Sequence, residues 1–139
     1  VRKIWNIEQK IGDSARMMRE YVHSGDDHYR RNYQIYHDAA ERMLNESELA
    51  EFQAHNNQAR FLAKRFAAKE AFAKAAGSGL REPVSLRRIG VTHDGLGKPV
   101  LQFDETLRKY LAQLGVGGHH LSVSDERDFI VAFVVLESA

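Results

Sequence analysis

Apolar residues recur along residues 57–76 in two interleaved stripes, Leu62, Phe66, Ala73 and Phe61, Ala68, Phe72, at the three- and four-residue spacing of a helix. No proline interrupts the segment and Gly77 is placed to end it, so a long helix is predicted there. Upstream, Leu44 precedes Asn45-Glu46-Ser47-Glu48. Asn45 can cap a helix, Glu48 sits at the reciprocal position of a capping box, and Leu44 is the hydrophobic staple. After residue 77 the pattern shortens. Residues 86–92, 99–103, 121–124 and 129–136 read as strands, with a turn at Asp94 and Gly95 and a polar turn over residues 125–128. Alternation around residues 121–124 puts His120, Ser122 and Ser124 on one face and Leu121 and Val123 on the other. Asp104 can cap a short helix carrying Leu107, Tyr110, Leu111 and Leu114 up to Gly115. The sum predicts an α+β fold with an antiparallel sheet.

Punctuation sharpens this division. Only Gly12 and Gly25 precede residue 77, whereas the other eight glycines and both prolines, Pro83 and Pro99, follow it. The first half is expected to be mainly helical and the second mainly strands and turns. A chain of 139 residues, 43% hydrophobic and 28% charged, fits one globular domain over residues 1–139. Its longest apolar run, residues 129–136, falls far short of the roughly 20 residues that span a bilayer, so no membrane span is expected. The first residues lack an apolar stretch with a small-residue cleavage site, which predicts a cytoplasmic protein. Cysteine is absent, which excludes disulfides, zinc thiolates and cysteine nucleophiles. Any metal must bind carboxylate, histidine or phosphate oxygen.

Total charge is balanced, with 20 basic against 19 acidic side chains, but its distribution is not. Residues 60–88 hold Arg60, Lys64, Arg65, Lys69, Lys74, Arg81, Arg87 and Arg88 against only Glu70 and Glu82. Such a segment fits either a phosphate-bearing ligand or acidic partner, or a solvated helix face. The cations circle the helix rather than forming one stripe, and no base-stacking aromatic motif accompanies them, so no nucleic-acid partner is expected.

Glu70 and Lys74 are four apart and share one helix face, where they can form an ordinary ion pair. Their helix runs into Gly77-Ser78-Gly79, a small-residue loop whose backbone N–H groups could approach a phosphate. No Walker A loop or dinucleotide fingerprint occurs, which removes ATPase and Rossmann readings. No serine sits in a G-x-S-x-G elbow, and the histidines, His119 among them, lack zinc-site spacing.

Three ordered motifs carry a family resemblance. They are FLAKRFAAKEAFAK over residues 61–74 followed by Gly77-Ser78-Gly79, then Leu96-Gly97-Lys98-Pro99, then His120-Leu121-Ser122-Val123-Ser124. Together they resemble the holo-(acyl-carrier-protein) synthase family, the small bacterial 4'-phosphopantetheinyl transferases, over residues 41–139. The resemblance implies an α+β fold with an antiparallel sheet packed against a long helix. It also implies transfer of 4'-phosphopantetheine from coenzyme A to a serine of apo acyl carrier protein, releasing adenosine 3',5'-bisphosphate. Glu70 matches the family's metal-binding glutamate for Mg²⁺, and Lys74 matches its helix lysine, which neutralises charge on the leaving group. Arg65 and Gly77, Ser78 and Gly79 are implied to hold the phosphates and nucleotide of coenzyme A, Lys98 and Pro99 to border the nucleotide, and His120 to contact the coenzyme. Homotrimers with shared active sites are implied as well, for a protein of cytoplasmic fatty acid biosynthesis. The group that takes the proton from the carrier serine stays unassigned.

Residues 1–36 depart from the family pattern. Family members begin with a strand of the form V-G-I-G-T-D-I-V, whose aspartate is a second metal ligand, and no such string occurs here. The nearest match, residues 22–29, keeps the glycine and aspartate and makes Asp27 the expected ligand, with Asp13 in Ile11-Gly12-Asp13 as the rival. Arg30 and Arg31 fall near the family's carrier-docking helix and are either carrier contacts or solvated surface. An alternative function follows from this departure: a catalytically impaired module that binds coenzyme A or the carrier without a complete metal site.

Overall fold

A computed structural model describes residues 2–5, 29–127 and 129–139. In chain order its elements are β1 (Arg2–Trp5), α1 (Tyr29–Met43), α2 (Glu46–Ala54), α3 (Gln58–Ala75), β2 (Ile89–His93), β3 (Pro99–Phe103), α4 (Glu105–Gln113), β4 (Val116–Asp125) and β5 (Ile130–Ser138). The local signals that start these helices operate as predicted. The Glu48 N–H donates to Asn45 Oδ1 at 2.9 Å and the Asn45 N–H donates to Glu48 Oε1 at 3.0 Å, a complete capping box at the head of α2. Asp104 caps α4 as expected by accepting from the Leu107 N–H at 2.9 Å, and Asn57, which was not singled out as a cap, accepts from the Arg60 N–H at 3.2 Å to cap α3.

The strands form two antiparallel sheets rather than one. β5 lies between β1 and β4, and β2 pairs with β3 as a separate hairpin. The hairpin registers Ile89 opposite Phe103 and His93 opposite Pro99 around the turn at Asp94. Asp94 Oδ1 accepts from the N–H groups of both Leu96 and Lys98 at 2.9 Å, which fixes that turn. β4 begins at Val116, well before residue 121, because Gly118 and His119 find partners in Glu137 and Leu136 at the end of β5. Residues 86–88 turn instead of extending β2, since the Arg88 and Ile89 N–H groups both donate to the Ser85 carbonyl. No sequence signal marked β1, whose Arg2 and Trp5 register opposite Phe133 and Ile130.

α3 is the axis of the molecule. Residues on nearly all its sides are buried, including Leu62, Phe66, Ala68, Lys69 and Phe72. Ala63, Ala67 and Ala71, four apart, join Ile130, Ala132 and Val134 of β5 in the larger hydrophobic cluster, where small side chains let the strand come close. Phe72 lies 4.8 Å from Phe103 between ring centroids in that cluster. A second cluster gathers Tyr36, Ala40 and Met43 of α1 with Phe52 of α2 and Phe61, Leu62 and Phe66 of α3. The predicted α+β architecture, a sheet against a long helix, is the one observed.

Candidate active site

Among the described residues three charged side chains lie inside the fold: Glu48 at 2% exposure, Arg65 at 4% and Lys69 at 0%. Lys69 Nζ donates to Glu48 Oε1 at 2.6 Å, to the Met43 carbonyl at 2.6 Å and to the Leu86 carbonyl at 2.9 Å. These three acceptors match the three donors of an ammonium. Glu48 Oε2 accepts from Arg65 Nη1 at 3.0 Å and from the Val91 N–H at 3.2 Å. Arg65 also donates to the Val91 carbonyl at 2.7 Å and to Glu51 Oε2 at 2.7 Å, and it lies over the Phe61 ring at 4.5 Å. One carboxylate therefore joins α2, α3 and β2. Burial pulls the Lys69 pKa down from 10.5 to about 8, against the opposing pull of Glu48. The Arg65 guanidinium, expected to face coenzyme phosphates, instead has protein partners at both terminal nitrogens, because a buried arginine must be paired.

Glu70 and Lys74 stand on the next turns of α3, with Lys74 Nζ 3.8 Å from Glu70 Oε1. The Glu70 side chain keeps 15% exposure and the Lys74 side chain 31%, so both reach solvent from a helix most of whose residues are buried. Among the described residues no three His, Asp or Glu side chains form a metal cage. Glu70 nevertheless has the donor chemistry for Mg²⁺, a hard cation commonly held by one or two carboxylates together with substrate phosphates. Asp27 and Asp13 lie outside the described residues, and Arg30 and Arg31 fall in the first turn of α1.

Where α3 ends, Gly77 and Gly79 take φ values of +82° and +62°. Their N–H groups donate to the carbonyls of Lys74 and Ala73, both at 3.0 Å, and Ser78 Oγ donates to the Gly79 carbonyl at 2.9 Å. These two N–H groups close the helix terminus instead of standing ready for a phosphate, because the last carbonyls of a helix require donors. Apart from the flanking residues of the chain, no heavy atom lies within 4 Å of where a Cβ would stand at either glycine, so the loop still admits close approach.

Lys98, Pro99 and His120 come together elsewhere. They line a cavity of about 390 Å³ with Ser122, Phe133 and Val135, and His120 Nε2 lies 2.9 Å from Glu137 Oε1. His119, on the other face of β4, puts its ring against the edge of Phe103 at 5.1 Å, and burial followed by the neighbouring His120 lowers its pKa. An adjoining cavity of about 510 Å³ shares Pro99 and Val123 with the first and extends over Phe61, Lys64, Arg65 and Asp125. Arg60 and Lys64 both bind the Asp125 carboxylate at its mouth, Lys64 at 3.2 Å. Burial pushes the Asp125 pKa up, but the hydrogen bonds from Arg60 and Lys64 outweigh it and hold the carboxyl below its usual value. Glu70 follows cavity-lining Ala68 by two residues, about 200° around the helix, so the Glu70–Lys74 pair faces away from this groove. Sequence reasoning singled out neither Asp125 nor the buried role of Glu48. Only the capping-box signal pointed at Glu48.

The chain matches the family model described as "4'-phosphopantetheinyl transferase superfamily" over residues 21–134. It is 57% identical over 98 residues to the holo-(acyl-carrier-protein) synthase of Laribacter hongkongensis, covering 70% of this chain and 78% of that one. The synthase of Nitrosospira multiformis is 53% identical over the same shares. The crystal structure of the Neisseria meningitidis synthase superposes with a TM-score of 0.76 at 39% identity, covering 99% of this chain and 95% of that one. The Bacillus anthracis synthase, solved in complex with coenzyme A (3',5'-ADP), gives 0.66 at 29% identity over 99% and 94% of the two chains. With most of its length matched in sequence and nearly all of it in backbone course, this chain belongs to the 4'-phosphopantetheinyl transferase superfamily.

Proposed function

We propose that this chain transfers 4'-phosphopantetheine from coenzyme A to a serine of apo acyl carrier protein. The serine oxygen bonds to the phosphorus on the pantetheine side of the pyrophosphate, the bond from that phosphorus to the bridging oxygen breaks, and adenosine 3',5'-bisphosphate leaves. The observation that carries the reading is the Glu70–Lys74 pair, a carboxylate and an ammonium 3.8 Å apart at the surface of the central helix of a transferase-superfamily fold. Glu70 would hold Mg²⁺, with Asp27 as the expected second ligand. Bound there, the metal would supply Lewis-acid polarisation of the pyrophosphate. Lys74 offsets the negative charge that grows on the departing bisphosphate, a contribution set in place before reaction. Lys98, Pro99 and His120 border the nucleotide in the groove.

Because that groove and the Glu70–Lys74 pair face different ways, one chain does not bring its two halves together. A homotrimer in which the groove of one subunit meets Glu70 and Lys74 of the next resolves this, and exposed Phe133 and Val135 suit such a contact. Arg65, held by Glu48 and Glu51, shapes the groove floor. The reaction serves fatty acid biosynthesis in the cytoplasm. No helix among the described residues is long and apolar enough to cross a membrane.

The test incubates the chain with coenzyme A, Mg²⁺ and an apo acyl carrier protein and follows the carrier by mass spectrometry. Wild type adds one phosphopantetheine, and both Glu70→Ala and Lys74→Ala lose that addition. Saturable coenzyme A binding with no transfer by wild type would refute the proposal in favour of a binding module. Sedimentation equilibrium reads the subunit count.

A further inference from the structure

Arg60 and Lys64 occupy successive turns of α3 on one face and converge on a single carboxylate, Asp125, at the end of β4. Arg60 also donates to the Glu126 carbonyl, so the pair fastens the turn after β4 to the helix. All three side chains line the larger cavity, and none is sequestered: Arg60 and Asp125 are each 30% exposed and Lys64 45%. The other arginine of the cavity, Arg65, already has partners in buried Glu48 and in Glu51. The cationic capacity of the mouth thus lies in Arg60 and Lys64, two positive charges facing one negative charge.

We propose that Asp125 is a specificity-determining residue: its carboxylate fills the anion position between Arg60 and Lys64, and a doubly charged phosphomonoester displaces it where a weaker anion does not. The inference rests on the coenzyme A reading above. Coenzyme A carries one such group, the terminal 3'-phosphate, whereas its pyrophosphate oxygens bear single charges. A dianion placed between the two cations gains charge-assisted, bidentate hydrogen bonds that a single carboxylate matches only in part. The internal carboxylate lowers the apparent affinity by the fraction of molecules in which it holds the cations. It thereby acts against a weaker anion offered to the pair, and leaves a ligand that offers the pair no anion unaffected.

Calorimetric titration of the chain with coenzyme A and with 3'-dephospho-coenzyme A, which differ only in that phosphate, tests the assignment. Asp125→Asn keeps an acceptor oxygen for Arg60 but removes the charge. It is expected to tighten coenzyme A about fivefold, the scale of one exposed ion pair, while changing the dephospho form by less than twofold. Lys64→Met is expected to weaken coenzyme A about tenfold, again with little effect on the dephospho form. Thermal scans of both variants check that the fold is kept. Weaker coenzyme A binding by Asp125→Asn, or equal shifts for the two ligands, would overturn the proposal while leaving the coenzyme A reading intact. Failure of wild type to bind either ligand would overturn both.

Discussion

The buried Glu48 carboxylate offers the sharpest stability test of the fold. Its two oxygens accept from Lys69, Arg65 and the N–H groups of Asn45 and Val91 at 2.6 to 3.2 Å, and its side chain is 2% exposed. Glu48→Gln preserves size but replaces one oxygen by an amide. Whichever way that amide turns, an NH₂ faces two donors: Lys69 and Asn45 on one side, or Arg65 and Val91 on the other. The charge that offsets two buried cations is also lost. Removing one partner of a buried pair costs about 3–5 kcal/mol, a large part of the roughly 5–15 kcal/mol that holds a domain folded. Urea unfolding followed by circular dichroism, at fixed protein concentration, should show a lower midpoint with an unchanged slope. The double variant Glu48→Gln with Lys69→Met should lose less than the sum of the single losses, because the second change removes a cation that the first left unpaired. A loss below about 1 kcal/mol for Glu48→Gln would refute the reasoning that this carboxylate is the junction of α2, α3 and β2.

Two further perturbations test the same region. The Lys69 pKa is about 8 in the fold against 10.5 for the free side chain, so between those values the unfolded chain binds the extra proton. Stability should therefore rise with pH across that window, by up to about 3 kcal/mol relative to Lys69→Met, and be flat on that account below pH 8. Urea midpoints for both proteins from pH 7 to 10.5 read this difference, and parallel curves would contradict it. At Gly90 a Cβ would come within 2.8 Å of Asn45 Nδ2 and 3.4 Å of the Gln102 carbonyl. Gly90→Ala should push the Asn45 amide off its cap and cost about 1–2 kcal/mol, read as a lower melting temperature. The same melting temperature as wild type would show that the cap can shift freely.

What was legible in the sequence was local. Asn45 with Glu48, Asp104 and the Asp94-Gly95 turn act on backbone groups within a few residues, so their types and spacing suffice to place the start of α2, α4 and the β2–β3 hairpin. The K-E-A stretch and its following glycines likewise placed Glu70 and Lys74 one turn apart on a helix that Gly77 ends. Tertiary structure decided the rest, because the partners are remote in the chain. Gly118 and His119 look like strand breakers or a loop until the end of β5 supplies their pairing, and the short β1 exists as a strand only against β5. Arg65 and Lys69 read as members of a basic surface segment, yet Glu48, 17 and 21 residues away, draws both inside the molecule. Asp125 reads as a turn residue after a strand, and only the folding of β4 over α3 sets it between Arg60 and Lys64. Short-range hydrogen-bond chemistry determines where elements begin and end. Which charges are buried together, and which are left facing a groove, depends on how the elements pack, and no spacing along the chain encodes that directly.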